Sequence, residues 1–121
     1  MADSRDLARL TLVAAGLIGA AGVASAAAAS HAGESRNLSA IAAICLSHGP
    51  TLLALGLVSR GRLLQLAALL LAAGTAIFAG DLGIREWLGH GLFPGAAPLG
   101  GIGMIGGWLA IVAAGIAMRR S

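Results

Sequence analysis

The chain has 121 residues, of which 58% are hydrophobic and 11% are charged, and its mean hydropathy is +0.90. A domain of this length cannot bury so much apolar surface in its own core, which excludes an ordinary water-soluble protein. The formal net charge is +3 and all eight basic residues are Arg, but they occur singly or in pairs beside apolar runs. No basic patch for nucleic acid is therefore expected, and we expect residues 1–121 to form one domain in contact with a lipid bilayer.

Four apolar runs of 18 to 21 residues contain no charged residue. About 20 apolar residues in a helix span the roughly 30 Å of hydrocarbon in a bilayer. The sequence therefore predicts an all-α membrane protein with four transmembrane helices in an antiparallel bundle, over residues 10–29, 38–58, 63–80 and 99–118. The link at 59–62 is so short that spans two and three must be neighbours, whereas residues 81–98 form a longer outer loop with Trp and Phe suited to the membrane surface.

Arginine placement predicts the orientation of the four spans. In a four-span arrangement only Arg36 and Arg85 fall on one side of the membrane. The other six Arg residues fall on the opposite side, so the positive-inside rule predicts that both termini are cytoplasmic. The alternative is that the first run is a cleavable signal peptide, because the small residues at 24–27 resemble a cleavage site. Cleavage would leave an odd number of spans and place the Arg pairs on opposing sides.

Polar residues inside the second, third and fourth runs form a candidate midplane site: His48, Pro50, Thr51, Thr75 and Trp108. His48 lies about 15 Å from either face at 1.5 Å per residue, and ionisable groups at such depth are often functional. Pro50 removes a backbone N–H and predicts a kink in span two. Trp108 lies at a similar depth, so we expect its indole N–H to approach His48.

Two interpretations of this midplane site remain open. In one, His48 is a neutral imidazole hydrogen-bonded to a neighbouring helix, and it holds the bundle together. In the other, a kinked helix with a polar group at the membrane centre serves a small transporter, a channel or a lipophilic-ligand binder, as broken helices do in transporters. A proton relay would need a second ionisable group at this depth, and the sequence offers none.

Small residues form smooth faces on spans one and four. Gly16, Gly19 and Gly22 lie in span one, and Gly103 and Gly107 form a GxxxG pair in span four. Such faces let helix backbones approach closely in lipid. We expect them to mediate helix packing, either of spans one and four on each other or of the chain on a membrane-protein partner or a second copy of itself.

Evidence for catalysis or a cofactor is missing from the sequence. His31, Asp81 and His90 could form a two-His, one-carboxylate metal site, but their loose spacing makes ordinary interfacial residues the preferred interpretation. The letters G-x-G-x-x-G at 101–106 lie inside a spanning run and follow no strand, so they are not a dinucleotide fingerprint. We therefore predict no enzyme activity, no catalytic residues, no cofactor and no bound metal.

The whole chain resembles the bacterial domain-of-unknown-function family 423, small four-span inner-membrane proteins related to eukaryotic transmembrane protein 256. The likeness lies in GLIGAAGVASAAAASH at 16–31, HGPTLLALGL at 48–57, GTAIFAG at 74–80 and, most specifically, PLGGIGMIGGW at 98–108. Typical members have an aromatic-plus-His cluster in span two, of which only His48 is present here, and a Ser-Gly-Ser element that appears here as Ala-Gly-Asp at 79–81. The resemblance implies a fold and an inner-membrane location, without a mechanism.

Together these features predict a non-enzymatic inner-membrane bundle that acts as a helix-packing or accessory subunit of a larger membrane complex. The alternative is the transporter, channel or lipophilic-ligand binder that would use the midplane around His48 and Pro50.

Overall fold

A computed structural model describes residues 3–31, 33, 35–58 and 61–118 of the chain. Over these residues the chain forms four helices and no strand. All four helices are long and apolar enough to cross a membrane, which confirms the predicted all-α membrane fold. Their bounds are α1 Ser4–His31, α2 Arg36–Val58, α3 Arg62–Leu88 and α4 Ala96–Ala117.

The connection between α3 and α4 is shorter than the outer loop expected at 81–98, because α3 continues through Leu88. Gly89 ends this helix in a left-handed conformation at φ 77°, and its N–H bonds to the carbonyl of Arg85. Gly95, at φ 85°, directly precedes α4. These are conformations that Gly adopts without the strain that a Cβ would cause. Trp87 and Leu88 therefore lie in the last turn of α3 rather than in the loop.

Helices α1 and α2 form one closely packed pair. A Cβ on Gly49 would lie 3.1 Å from the Cα of Gly19, and one on Gly22 would lie 2.9 Å from Cγ of Leu46. At the other end of the pair, Gly56 lies against Leu12. Along this series of contacts the residue numbers increase in α1 and decrease in α2, so the two helices run in opposite directions.

Helices α3 and α4 form the second pair, which is also built on glycine. A Cβ on Gly74 would lie 2.7 Å from the carbonyl oxygen of Gly100 and 2.8 Å from the backbone nitrogen of Met104. Gly107, which follows Gly100 and Met104 in α4, contacts Leu71, which precedes Gly74 in α3. These helices also run in opposite directions, with backbones so close that side chains larger than hydrogen do not fit between them.

The two pairs are joined mainly by α2 and α3, as the short link between them predicts; residues 59 and 60 of that link lie outside the described part of the chain. No described residue of α1 has its Cα within 8 Å of a Cα in α4. Of the alternatives left open by the sequence, packing of spans one and four on each other is therefore wrong. The physical reason is that Gly22 of α1 packs against α2, and Gly103 and Gly107 of α4 pack against α3 instead.

The buried core lies where α1, α2, α3 and α4 converge and consists of small and medium-sized side chains. Large apolar side chains elsewhere remain exposed on the outside, such as Leu17 at 68% and Ile116 at 81%, as expected where lipid rather than water surrounds the helices. The core residues are Ala15, Ile18, Ile41, Cys45, Leu52, Ala68, Leu71 and Met104.

Candidate functional site

The structure joins three of the sequence-predicted midplane residues in one hydrogen-bond network. Nδ1 of His48 lies 2.8 Å from Oγ1 of Thr75, and the indole Nε1 of Trp108 donates to Nε2 of His48 over 3.0 Å. His48 and Thr75 are buried. The network therefore connects α2, α3 and α4 through side chains, and it spans both helix pairs.

The protonation state of His48 follows from its partners. An indole N–H can only donate, so Nε2 of His48 must accept and cannot carry a proton. A neutral imidazole with a bare Nε2 has its proton on Nδ1, which then donates to the hydroxyl oxygen of Thr75. Both ring nitrogens are thus used within the protein, as a buried polar group requires.

Trp108 sits at the edge of this network rather than inside the core. Its side chain is 42% exposed, and its ring centroid lies 5.7 Å from that of His48 with the planes tilted by 54°. The preceding residue, Gly107, packs on Leu71, which brings α4 close enough for the indole to reach α2. The polar edge of Trp108 therefore points at His48 while part of the ring remains on the outer surface.

The other two midplane candidates do not join the network. Thr51 donates from Oγ1 to the carbonyl of Ser47 in its own helix, over 3.0 Å. Pro50 lies inside α2, which is continuous from Arg36 to Val58. Gly49 beside it serves the close contact with α1 at Gly19. The chemistry of this region is thus confined to His48, Thr75 and Trp108.

The glycines expected to mediate association fall into two groups. Gly103 and Gly107 face α3 within the same chain, where Gly103 lies against Gly74 and Gly107 against Leu71. They are therefore used for folding and are not free to receive a partner helix. Gly22 is likewise occupied, by Leu46. A Cβ built on Gly16 or Gly19, by contrast, meets no atom outside its own stretch of helix within 4 Å, although the backbone of Gly19 lies against Gly49 of α2.

A second polar cluster, which the sequence did not reveal, holds the connection between α3 and α4. The buried carboxylate of Asp81 accepts a hydrogen bond from Nε of Arg85 at 2.8 Å and another from the N–H of Leu92 at 2.8 Å. The Arg85 side chain is 46% exposed. Gly91 lies so close to Asp81 and Arg85 that a Cβ there would overlap them. The four-residue spacing of Asp81 and Arg85 was a usable sequence signal for this ion pair.

Ser35 and Glu86 connect the same end of α3 to the start of α2. Oγ of Ser35 donates to Oε1 of Glu86 over 2.7 Å and accepts the N–H of Leu38 as a helix cap over 3.2 Å. Asn37 adds a weaker bond to the same carboxylate oxygen at 3.3 Å. These bonds lie far from His48 along both helices and stabilise one end of the bundle.

The proposed metal ligands are not brought together. Asp81 is bonded to Arg85 and Leu92, and Nδ1 of His90 lies 3.1 Å from the carbonyl of Gly91. In the part of the chain that the structure describes, no three His, Cys, Asp or Glu residues are close enough to hold a metal ion. A site formed by His31, Asp81 and His90 has no geometric basis.

A family model described as protein of unknown function (DUF423) matches residues 15–101 of the chain. The chain belongs to the DUF423 family. No curated protein and no solved structure compared with it is a match. The resemblance to this family is confirmed. The family description states no activity, and the membrane character of the chain comes from its four long apolar helices.

The DUF423 match contains two of the three network residues. His48 and Thr75 lie within residues 15–101, whereas Trp108 lies beyond them. The segment at 98–108 that carried the most specific resemblance is matched only in its first four residues. The position of Trp108 in the network is therefore an observation on this chain's own structure.

Two cavities of this DUF423 chain lie away from the network. A small one of about 120 Å³ is bounded by α1, α2 and α3 near Leu7 and Leu64. A larger and more open one of about 860 Å³ lies between the α2–α3 connection and the last turns of α4. Neither is lined by His48, Thr75 or Trp108.

Proposed function

We propose that this chain is a non-enzymatic accessory subunit of a larger complex in the bacterial inner membrane, and that it acts through helix packing. The observation that carries the proposal is the closed network at its centre. Both ring nitrogens of His48 are bonded inside the protein, and His48 is 5% exposed. A histidine with both ring nitrogens hydrogen-bonded links the helices to one another and has no free nitrogen for a substrate or an ion.

Helix α1 is the surface that we propose meets the partner. It is the least covered of the four helices, with 11% of its most apolar 18 residues buried against 44% for α2. Gly16 is exposed, and no other residue occupies the space that its Cβ would fill. Ala20, one helical turn further on, is exposed as well. An outward face of small residues allows another membrane helix to approach closely.

The proposed orientation has both termini in the cytoplasm. Arg5 and Arg9 lie in the first two turns of α1, and Arg62 begins α3, whereas Arg85 lies at the opposite end of α3. The positive-inside rule favours the side with more Arg as cytoplasmic. Arg60, Arg119 and Arg120 add to that side in the sequence and lie outside the described residues.

The transporter, channel or ligand-binder alternative has less support. It requires a free polar group beside a path or cavity near His48, and the two cavities described above are lined by other residues. Under that alternative, His48→Ala would abolish flux of a substrate while the bundle stays assembled.

The accessory role is tested by purifying the chain at its natural expression level in native nanodiscs and identifying co-purifying subunits by mass spectrometry. We expect stoichiometric membrane subunits with the wild type and their loss with Gly16→Leu, because the added side chain separates the two helices. Gly101→Leu is the matched control, since a Cβ at Gly101 also meets no atom within 4 Å but lies on α4.

Three results would refute this proposal. Recovery of the wild type alone or only as a self-oligomer excludes an accessory subunit. Equal loss with Gly16→Leu and Gly101→Leu excludes α1 as the specific interface. Full retention of the subunits by Gly16→Leu excludes it as well.

A further inference from the structure

The larger cavity is an apolar groove at one end of the bundle. It lies between the end of α2 and the start of α3 on one side and the last turns of α4 on the other, with a volume of about 860 Å³. Its walls include Leu57, Leu64, Ile111 and Met118. Gly115 also lines it, and no atom lies within 4 Å of the position of a Cβ on that residue. The groove therefore offers space for a narrow apolar ligand.

One positive charge of the described residues lies at this groove. Among the described residues that line it, Arg62 is the only charged one. In the sequence, Arg60 directly precedes the lining residue Gly61, while Arg119 and Arg120 directly follow the lining residue Met118. An apolar groove with Arg62 in its lining matches a molecule with an apolar tail and an anionic head.

We propose that this groove binds an anionic phospholipid, with an acyl chain along Leu57, Ile111 and Met118 and the phosphate at Arg62. The volume lies within the roughly 300–1,000 Å³ of sites for small ligands. Basic pockets between transmembrane helices on the cytoplasmic side bind anionic headgroups, and this is the end that the orientation proposed above places in the cytoplasm. The lipid is an additional ligand of the chain and does not depend on the accessory role.

Binding of the acyl chain and binding of the phosphate can be tested by separate substitutions. Arg62→Gln removes the charge and keeps the groove, whereas Gly115→Leu fills the groove and keeps the charge. Arg36→Gln is the control for the first, because it removes one positive charge at the opposite end of α2. Gly101→Leu is the control for the second, because it adds the same side chain to α4 at another site with free space.

The experiment is native mass spectrometry of the full chain from nanodiscs that contain equal amounts of phosphatidylglycerol and phosphatidylcholine. We expect the wild type to retain phosphatidylglycerol in preference. Arg62→Gln should lower that preference by about fivefold, the factor that corresponds to one Arg near an anionic membrane surface. Gly115→Leu should lower retention of both lipids, and the two control variants should behave as the wild type does.

Other outcomes would overturn the lipid site. Equal retention of the two lipids by the wild type shows that the groove does not select an anionic head. Unchanged retention in both Arg62→Gln and Gly115→Leu places the lipid elsewhere. A dimer of the chain that Gly115→Leu abolishes, without any lipid preference, identifies the occupant as a second copy. None of these results bears on the interface at Gly16, so the accessory role and the lipid site fail or succeed separately.

Discussion

The indole N–H of Trp108 donates to Nε2 of His48 over 3.0 Å. This single bond determines which of the two ring nitrogens of His48 carries the proton. Nε2 must be bare to accept it, so the proton is on Nδ1, where it is directed at Thr75. A proton on Nε2 would place two donors against each other and break the link between α2 and α4.

His48 in the folded chain is therefore expected to be the neutral Nδ1–H tautomer at neutral pH. Solid-state ¹⁵N NMR of His-labelled protein in bilayers distinguishes the two ring nitrogens. His31→Gln and His90→Gln variants assign the signal, because the chain has only three His residues. A protonated Nε2 in the folded protein, as imidazolium or as the other tautomer, would contradict the network.

Removal of the imidazole is expected to weaken the bundle. His48→Ala deletes two interhelical hydrogen bonds, each worth about 0.6–2 kcal/mol in a membrane protein, and leaves a cavity in the core. We expect a loss of about 2–4 kcal/mol, measured by reversible unfolding in mixed micelles. The Trp87→Phe background makes Trp108 the only tryptophan and reports the same step by fluorescence. Thr51→Ala, which removes a hydroxyl bonded within its own helix, serves as the control and should change stability much less.

The hydroxyl group of Thr75 is expected to contribute more to the stability of the bundle than the volume of its side chain does. Thr75 is fully buried, and Thr75→Val keeps the volume while it removes the acceptor for Nδ1–H of His48. The free energy of unfolding should fall by about 1–2 kcal/mol. Thr75→Ser retains the hydroxyl and should preserve the Nδ1–H signal of His48 in the NMR experiment, whereas the Val variant should shift it. A Val variant as stable as the wild type would show that the Thr75 bond contributes nothing.

Adjacent glycines in α4 are expected to respond in opposite ways to the same substitution. A Cβ on Gly100 would lie 2.7 Å from both the carbonyl oxygen of Gly74 and the backbone nitrogen of Phe78, whereas one on Gly101 meets no atom within 4 Å. Gly100→Ala must separate α3 from α4 and should cost about 1–3 kcal/mol. Gly101→Ala should be neutral or stabilise the helix by up to about 1 kcal/mol. Equal unfolding free energies for the two variants would refute the close approach of these helices.

The carboxylate of Asp81 is expected to hold the α3–α4 connection. Asp81→Ala removes its bonds to Arg85 and to the N–H of Leu92, so this amide should exchange with deuterium at least about tenfold faster, the factor for 1.4 kcal/mol. Asp81→Asn keeps an oxygen that can accept the amide and should exchange at an intermediate rate. Unchanged exchange at Leu92 in the Ala variant would show that the bond does not order the connection.

Part of the site could be predicted from how deep each residue lies within its membrane span. His48 and Trp108 lie at similar distances into their spans, and a buried indole needs an acceptor, so their approach could be expected from spacing alone. Thr75 was a candidate for the same reason. Thr51 was equally plausible from the sequence, but its hydroxyl, three residues after His48 in α2, bonds to the carbonyl of Ser47 instead. Rotation of a helix about its axis decides between such neighbours, and a run apolar on all sides carries no signal for that rotation.

The sequence by itself determined the four membrane-spanning helices and the adjacency of α2 and α3. The physical reason is that a bilayer requires long apolar helices of nearly fixed length, and a short link cannot join distant ones. Only the tertiary structure decided which glycines face inward. Gly103 and Gly107 lie against α3, while Gly16 remains open, although the same letters occur in both spans. Close packing depends on how two surfaces fit in three dimensions, and neither helix alone specifies that fit.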